Sequence, residues 1–258
     1  NSKLITSDDG APAFTDKLYT LQDKVIQPQG AMVITEVGTG KVKAMIGGRG
    51  VSGKKLFNRA VNARQPGSSI KPLAIYSASL QRSYELAESG QTFPLTDPDN
   101  DKQGTKYYGD YLTASSVIVD EPIKFNGKVW PKNSNNRYSG PMTMRRGMQT
   151  STNVVAVKLY EQLGSDYSAS MVEKYGISTL NKTPNGDLNP ASLALGGLSK
   201  GVSPYEMAEA YATFPNGGVR VENRVYTKVV DRDGRTILST EKKQHKVLDE
   251  GVAYIMVT

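Results

Sequence analysis

The chain has 258 residues, with 32 Lys+Arg against 25 Asp+Glu (a formal net charge of +7), no cysteine and one histidine, His245. These counts exclude a cysteine nucleophile, a disulfide framework, a Cys-ligated zinc or iron–sulfur cluster and a multi-histidine metal site. His245 lies in the polar run at 241–246, which is typical of a solvated surface, so a Ser-His-Asp triad is not expected. We expect no cofactor, and in an enzyme of this composition Lys, Asp, Glu or Tyr must move the proton.

The composition also indicates whether the chain folds, crosses a membrane or binds polyanions. Charged residues make up 22% and hydrophobic residues 38%, as in a folded protein. No apolar run approaches the roughly 18–20 residues that span a bilayer. The basic balance suits a polyanionic neighbourhood such as acidic cell-wall polymers, whereas the lack of a basic run argues against nucleic acid. Because the first residue is Asn1 rather than Met, we expect the chain to come from the middle of a longer polypeptide.

The predicted elements alternate between strands and helices. Residues 1–28 predict a connector with a short helix at 16–25, and residues 90–140 predict a long loop. Strands are predicted at 31–37, 41–46, 224–230 and 235–238, and helices at 68–82, 143–149, 152–163 and 203–214, with a further helix starting at Asp249. Strands near both ends with helices between them predict an α+β fold (an α/β sandwich), in which the terminal hairpins form one antiparallel sheet packed between helices.

Two motifs resemble binding loops but depart from the required pattern. The run from Gly48 to Lys55 nearly fits a phosphate-binding loop, but Lys55 stands where the Mg²⁺-binding hydroxyl belongs. The run at 97–101 has calcium-loop spacing at its first three ligands, but Lys102 and Tyr108 replace the required Gly and Glu. We therefore predict a flexible loop and a solvated acidic loop.

The pattern Ser-x-x-Lys occurs at Ser52, Ser68 and Ser239, whereas about two matches are expected by chance. Only Ser68 stands at a predicted helix start, after the breaker Gln65-Pro66-Gly67. Three residues make about one helical turn, so Lys71 Nζ can reach back to Ser68 Oγ. A buried lysine of lowered pKa can take the serine proton without a histidine. The alternative is an N-capping serine beside a solvated lysine.

The pattern Ser-x-Asn occurs twice, at Ser134/Asn136 and Ser151/Asn153. The second pair lies between two predicted helices, where a short turn can present both side chains to a cleft. A hydroxyl there can relay a proton, and an amide can orient a peptide. The alternative is that Ser151 simply caps the following helix.

Taken together, three regions resemble the penicillin-binding transpeptidases of the serine DD-peptidase/β-lactamase superfamily, and the bifunctional class A members in particular. They are 57–72, which contains Gln65-Pro66-Gly67-Ser68-Ser69-Ile70-Lys71-Pro72; 140–159, which contains Ser151-Thr152-Asn153; and 194–218, which contains Ala194-Leu195-Gly196-Gly197. The agreement runs in order from about Ala31 to the end of the chain.

The resemblance implies a D-alanyl-D-alanine transpeptidase that cross-links peptidoglycan stem peptides through an acyl-enzyme on Ser68. Lys71 would be the base, Ser151 would carry the proton toward the leaving group, and Asn153 would hydrogen-bond the substrate backbone. β-Lactam antibiotics would acylate Ser68. The family works on the outer face of the bacterial cell membrane, held by an N-terminal anchor that this chain lacks, and its class A members also carry a glycosyltransferase domain.

The sequence departs from the family at its third motif, Lys-Thr/Ser-Gly. The nearest match, Lys182-Thr183-Pro184, has proline in place of glycine and lies too early. We therefore expect residues 1–28 to be a linker and 29–258 a transpeptidase domain incomplete at its C-terminus, with the remaining fragment of the domain as a partner. The alternatives are a penicillin-sensing or inactive wall-binding domain of the same fold, or a β-lactamase.

Overall fold

The fold comes from a computed structural model, which describes residues 28–50, 53–93, 110–125 and 127–258 together with two short strands nearer the N-terminus. These are β1 (Ile5–Thr6) and β2 (Pro12–Ala13), which pair antiparallel. The predicted helix at 16–25 and the acidic loop at 97–101 lie outside the described residues, as do residues 51–52 of the glycine-rich loop and most of the predicted linker at 1–28.

The N-terminal hairpin agrees with the prediction. Strand β3 (Met32–Thr35) pairs antiparallel with β4 (Val42–Ile46), and the turn between them uses Gly38 and Gly40 at positive φ. Gly40 is required because a Cβ there would lie 2.2 Å from the carbonyl oxygen of Glu222. The hairpin turn is therefore fixed against a segment that lies far away in the chain.

The helix predicted at 68–82 is a longer and more varied helical run. It opens with a 3₁₀ turn (Gly67–Ile70), continues as a π-helical turn (Pro72–Tyr76) and ends as helix α1 (Ser77–Glu88). Pro72 has no N–H to donate, and the Ser77 N–H bonds back to the Pro72 carbonyl over five residues, which gives the π turn. Residues 73–76 are fully buried, so this wide turn lies in the core.

The loop predicted at 90–140 is partly wrong, since four residues of β5 (Val117–Asp120) pair antiparallel with β8 (Gly140–Thr143). Between them, β6 (Lys124–Phe125) pairs with β7 (Lys128–Val129). The alternation of half-buried and buried residues along β5 is that of a strand with one face in the core. The dense Pro, Asn and Gly around it obscured this short signal.

The following helices match the prediction closely. Helix α2 (Met144–Gln149) is capped by Thr143, and α3 (Asn153–Leu163) follows after a tight turn. Helices α4 (Ser165–Lys174) and α5 (Pro190–Leu193) were not predicted. Helix α6 (Pro204–Ala212) begins with the predicted capping box, in which Ser203 and Glu206 bond reciprocally.

The last part of the chain adds strands at the surface and one more helix. Strand β9 (Val219–Val221) pairs with β12 (Gln244–Lys246), and β10 (Lys228–Val230) pairs with β11 (Thr236–Ser239) as the predicted hairpin. Helix α7 (Glu250–Val257) begins after Asp249, whose side chain accepts from the Gly251 N–H. The strands β9 and β12 were not predicted, because both are short.

The strand pairs are antiparallel, as predicted, but they form two-stranded ladders rather than one continuous sheet across the described residues. The N-terminal and C-terminal parts meet at an isolated bridge at Lys41 and Arg224, which is parallel rather than antiparallel: Val42 N–H donates to the Arg224 carbonyl at 3.0 Å, and Arg224 N–H donates to the Gly40 carbonyl at 2.7 Å. Helix α6 packs against β3 and β9, so helices and strands form packed layers. The α+β class is therefore confirmed.

The core lies around the π turn and α1, which pack against α3 and α4. Leu73, Ile75, Leu159, Met171 and Tyr175 are essentially inaccessible to solvent. The π turn follows directly after the turn that contains Ser68. The core therefore fixes the position of the backbone next to this candidate nucleophile. None of the helices in the described part of the chain has the length and apolar character needed to cross a membrane.

Candidate active site

Ser68 is presented to solvent at the start of the helical run. It is the second residue of the 3₁₀ turn, so its N–H has no carbonyl partner within that turn. Ser68 and Ser69 are exposed, whereas Ile70 is completely buried and fixes the turn to the core. The Ser68 side chain is therefore open to solvent, and its N–H has no partner within the turn.

Contacts with a distant segment fix the turn before Ser68. Gly67 N–H donates to the Gly196 carbonyl over 3.3 Å, and Arg64 exchanges backbone hydrogen bonds with Val202 at 3.0 and 2.8 Å. Gly196 has φ +80°, and a Cβ there would lie 2.0 Å from the Gly67 carbonyl oxygen. On the other side, Tyr211 donates its hydroxyl to the Ser69 carbonyl over 2.7 Å. The position of Ser68 thus depends on residues about 130 further along the chain.

Lys71 is directed into the turn that carries the Ser-x-Asn motif. Its side chain is 1% exposed, and Nζ donates to the Ser151 carbonyl at 2.8 Å, to Ser151 Oγ at 3.2 Å and to Asn153 Oδ1 at 2.6 Å. The structure thus joins Lys71, Ser151 and Asn153 into one constellation. A solvated lysine, the alternative reading of Ser-x-x-Lys, is wrong.

The expected contact between Lys71 and Ser68 is not formed. Among the described residues, the hydrogen bonds of Nζ go to the 151–153 turn, and none joins it to Ser68 Oγ. Three acceptors on that turn match the three N–H groups of an ammonium, whereas the Ser68 hydroxyl is free to hydrogen-bond with water. The helical spacing places Lys71 one turn from Ser68, but the acceptors on Ser151 and Asn153 determine the direction of the Lys71 side chain.

Burial lowers the pKa of Lys71 from 10.5 to about 8, because the charged ammonium is removed from water. Burial is also the cause that the sequence argument expected. An amine with this pKa has a substantial neutral fraction near neutral pH. It can therefore accept a proton where a solvated lysine could not.

Ser151 adopts a strained backbone conformation, with φ of +53°. Few non-glycine residues adopt this left-handed region, and such strain is common at functional sites. Helix α3 starts at Asn153 with Thr152 in the capping position, so the alternative that Ser151 caps this helix is wrong. Met148 accepts the Ser151 N–H at 3.0 Å, which holds the turn in place.

Asn133 supports this turn, and the sequence did not reveal it. Its Oδ1 accepts from the N–H groups of Asn153 at 3.0 Å and Val154 at 3.3 Å, so it caps α3 from a separate loop. Its Nδ2 donates to Asp120 Oδ1 at 2.8 Å, and Ser139 N–H donates to Asp120 Oδ2 at 2.8 Å. Twenty residues separate Asn133 from Asn153, which leaves no spacing signal, and the Ser-x-Asn pattern in this loop includes only Ser134 and Asn136.

The other sequence candidates lie apart from this constellation. Ser239 is exposed at the end of β11, and Asn136 is exposed in the 130–140 loop. His245 is part of exposed β12 and bonds Glu222 at 2.9 Å, while Lys182 pairs with Glu173 at 2.7 Å. In the described part of the chain, no three His, Asp or Glu side chains cluster as metal ligands would.

Comparison with known families identifies this architecture. Residues 110–253 match the model for the penicillin binding protein transpeptidase domain. This match covers more than half of the chain, so the chain belongs to that family. The matched range includes Ser151 and Asn153 but begins after Ser68 and Lys71.

Individual relatives cover nearly all of the chain. Penicillin-binding protein 1A of Clostridium botulinum is 37% identical over 235 residues, which are 90% of this chain and 26% of that protein. Penicillin-binding protein 1A of Neisseria meningitidis is 34% identical over 240 residues, 88% of this chain and 25% of that protein. The chain thus spans about a quarter of the length of these relatives.

Solved structures agree on the fold. Penicillin-binding protein 1A from Haemophilus influenzae superposes with a TM-score of 0.65 at 27% identity, over 88% of this chain and 34% of that one. Penicillin-binding protein A from M. tuberculosis, solved as an imipenem acyl-enzyme complex, also gives 0.65 at 20% identity, over 88% of this chain and 55% of that one. The predicted DD-peptidase/β-lactamase fold is confirmed.

Proposed function

We propose that the protein containing this chain is a serine D-alanyl-D-alanine transpeptidase that cross-links peptidoglycan stem peptides. One observation carries the proposal: buried Lys71, with a pKa of about 8, lies within hydrogen-bond distance of both Ser151 Oγ and Asn153 Oδ1. It is also one helical turn from exposed Ser68. The chain therefore offers a base in contact with a relay hydroxyl and a nucleophile one turn away, and the reaction that we propose needs no histidine or metal ligand.

In the acylation step, neutral Lys71 takes the proton of Ser68, and Oγ attacks the carbonyl carbon of the penultimate D-Ala. The Ser68 N–H stabilises the oxyanion that forms, as one donor of an oxyanion hole. The proton then passes from Lys71 through Ser151 Oγ to the leaving nitrogen. The C–N bond breaks, D-Ala departs and an ester remains on Ser68.

In the transfer step, an amine of a neighbouring stem peptide attacks the ester carbonyl. Its proton returns through Ser151 and Lys71 to Ser68 Oγ as the C–O bond breaks. The product is a new amide that links the two strands. Asn153 positions the donor peptide: its Nδ2 donates to the Lys132 carbonyl at 2.8 Å and its Oδ1 accepts from Lys71, so the amide plane is fixed before substrate arrives.

The same steps apply to β-lactam antibiotics, which would acylate Ser68 and leave a stable ester. The M. tuberculosis relative was captured as such an acyl-enzyme with imipenem. Because the chain spans about a quarter of its relatives, we place this domain in a longer, membrane-anchored protein on the outer side of the bacterial membrane. That protein would also carry a glycosyltransferase domain.

The test is an intact-mass measurement of the complete protein after incubation with a β-lactam. Wild type and Ser239→Ala should gain the mass of the drug, and Ser68→Ala should not. Ser239 is the matched control, because it also precedes a lysine by three residues but lies at the exposed end of β11. An adduct retained in Ser68→Ala, or none in wild type, would contradict the proposal, and rapid release of hydrolysed drug would indicate a β-lactamase.

A further inference from the structure

A polar cavity of about 390 Å³ includes Ser151 and Thr152 in its wall. Lys71, Ser68 and Asn153 are absent from its lining. Of the four candidate site residues, Ser151 is therefore the one that the cavity shares. Its remaining polar lining comes from α2 and the 130–140 loop, and includes Ser134, Asn135, Ser139, Arg146 and Thr150.

Arg146 is the cation of this cavity. Among the described residues, no carboxylate lies within 4.0 Å of its guanidinium, although other exposed arginines and lysines of the chain do form such pairs. A guanidinium without a partner in a polar cavity is suited to bind a carboxylate through two parallel hydrogen bonds. The hydroxyls and amides around it add further donors.

The cavity wall also contains a carboxylate, Asp120, which could repel an anion. Asp120 is 1% exposed, however, and both of its oxygens already accept hydrogen bonds, Oδ1 from Asn133 and Oδ2 from Ser139. These donors partly offset its charge and hold it in the wall. Arg146 is exposed and reaches the open space, so it faces an incoming ligand more directly.

We propose that this cavity binds a carboxylate of the acyl-acceptor peptide and so helps to select the amine that attacks the Ser68 ester. The inference rests on the proposed transpeptidase function. A donor peptide must lie along Ser68 and Asn153, which do not line the cavity. An acceptor that enters from the Ser151 side places its amine beside the hydroxyl that takes its proton.

The chemistry of the step is the transfer step described above. The amine nitrogen bonds to the ester carbonyl carbon, the C–O bond to Ser68 breaks, and the amine proton moves through Ser151 to the departing Oγ. Arg146 touches none of these atoms. It acts as a specificity residue, because it holds the carboxylate that lies near the attacking amine.

The test uses the complete enzyme, acylated by a peptide donor that ends in D-Ala-D-Ala, and two acceptors. Glycine carries a carboxylate next to its amine, glycinamide is its neutral counterpart, and both give products that differ in mass from the donor. Wild type should prefer glycine, and Arg146→Gln should reduce that preference about tenfold, the equivalent of one charge-assisted hydrogen bond. The rate of acylation by the donor should change less than about twofold.

The matched control is Arg232→Gln, which makes the same change in charge at a side chain that is 94% exposed in the β10–β11 turn. It should leave the acceptor preference unchanged. Equal losses with both acceptors, or slower acylation by the donor, would assign the cavity to the donor strand and overturn the inference. An unchanged preference in Arg146→Gln would also overturn it while leaving the transpeptidase function intact, whereas a wild type without acyl transfer would overturn both.

Discussion

Lys71 Nζ donates to Asn153 Oδ1 over 2.6 Å, a shorter contact than the 3.2 Å to Ser151 Oγ. With the Ser151 carbonyl at 2.8 Å, three acceptors surround the amine. An ammonium supplies three N–H groups, whereas a neutral amine supplies two and a lone pair. Deprotonation should therefore release the longest contact and leave the lone pair of Nζ free to accept a proton. The protonation state of Lys71 thus decides whether Nζ donates to Ser151 Oγ.

The first prediction concerns the pH dependence of acylation. In the proposed mechanism the neutral form of Lys71 is the base; because its pKa is lowered to about 8, the acylation rate should rise with pH and level off above about pH 8. At pH 7 about a tenth of the molecules would carry the neutral amine. Lys71→Arg, whose side chain stays charged, should not acquire activity at any of these pH values. A wild-type rate that falls between pH 6 and 8 would contradict the assignment.

The second prediction separates backbone strain from chemistry at Ser151. Ser151→Gly and Ser151→Ala both lose the relay hydroxyl and should both slow acylation. Because φ is +53°, glycine relieves the strain that alanine retains, and the Gly variant should be about 0.5–1 kcal/mol more stable to unfolding than the Ala variant. Urea unfolding of both variants measures this difference. An Ala variant as stable as the Gly variant would show that the turn does not hold this backbone conformation.

The third prediction tests the support given by Asn133. Asn133→Ala leaves two N–H groups at the start of α3 without this acceptor and removes the donor to Oδ1 of buried Asp120, and should cost about 1–3 kcal/mol of stability. Acylation should slow by about tenfold or more, because Asn153 loses its fixed position. Asn135→Ala, an exposed change in the same loop, is the stability control. Normal acylation by a destabilised Asn133→Ala protein would show that its role is structural only.

The fourth prediction uses two glycines of equal φ. Gly196 (φ +80°) lies against the Gly67 carbonyl, whereas Gly234 (φ +82°) faces open space in the β10–β11 turn. Gly234→Ala should cost about 1 kcal/mol from its φ alone and leave acylation unchanged. Gly196→Ala must also move the backbone beside Ser68, so it should be less stable and acylate at least tenfold more slowly. Equal acylation rates would mean that this close approach does not position the nucleophile.

The sequence identified the candidate motifs because the chemistry proposed for them depends on local spacing. Ser68 and Lys71 are one turn apart, and the breaker before them marks the start of a helix. The direction of the Lys71 side chain could not be predicted, since it depends on acceptors 80 residues away at Ser151. The role of Asn133 was not predicted for the same reason, since its hydrogen-bond partners lie in α3 and in β5.

The secondary structure was likewise predicted where it depends on nearby residues and missed where it depends on distant ones. The capping box at Ser203 predicted the start of α6 correctly, because both partners lie within four residues. Strand β5 was missed because its pairing with β8 depends on a segment about twenty residues later, while the residues between them favour turns. The π turn was missed because only its place in the packed core distinguishes it from an ordinary helix start.

The contacts that assemble this site are all distant in sequence: Lys71 with Ser151, Asn133 with Asn153, and Gly67 with Gly196. A partly folded chain with one ordered segment has none of them, because each requires a loop of 20 to about 130 residues to close. The fraction of molecules that a β-lactam labels at Ser68 should therefore equal the fraction that is natively folded. During refolding, the gain of labelling should coincide with global folding and not with the earlier appearance of helix.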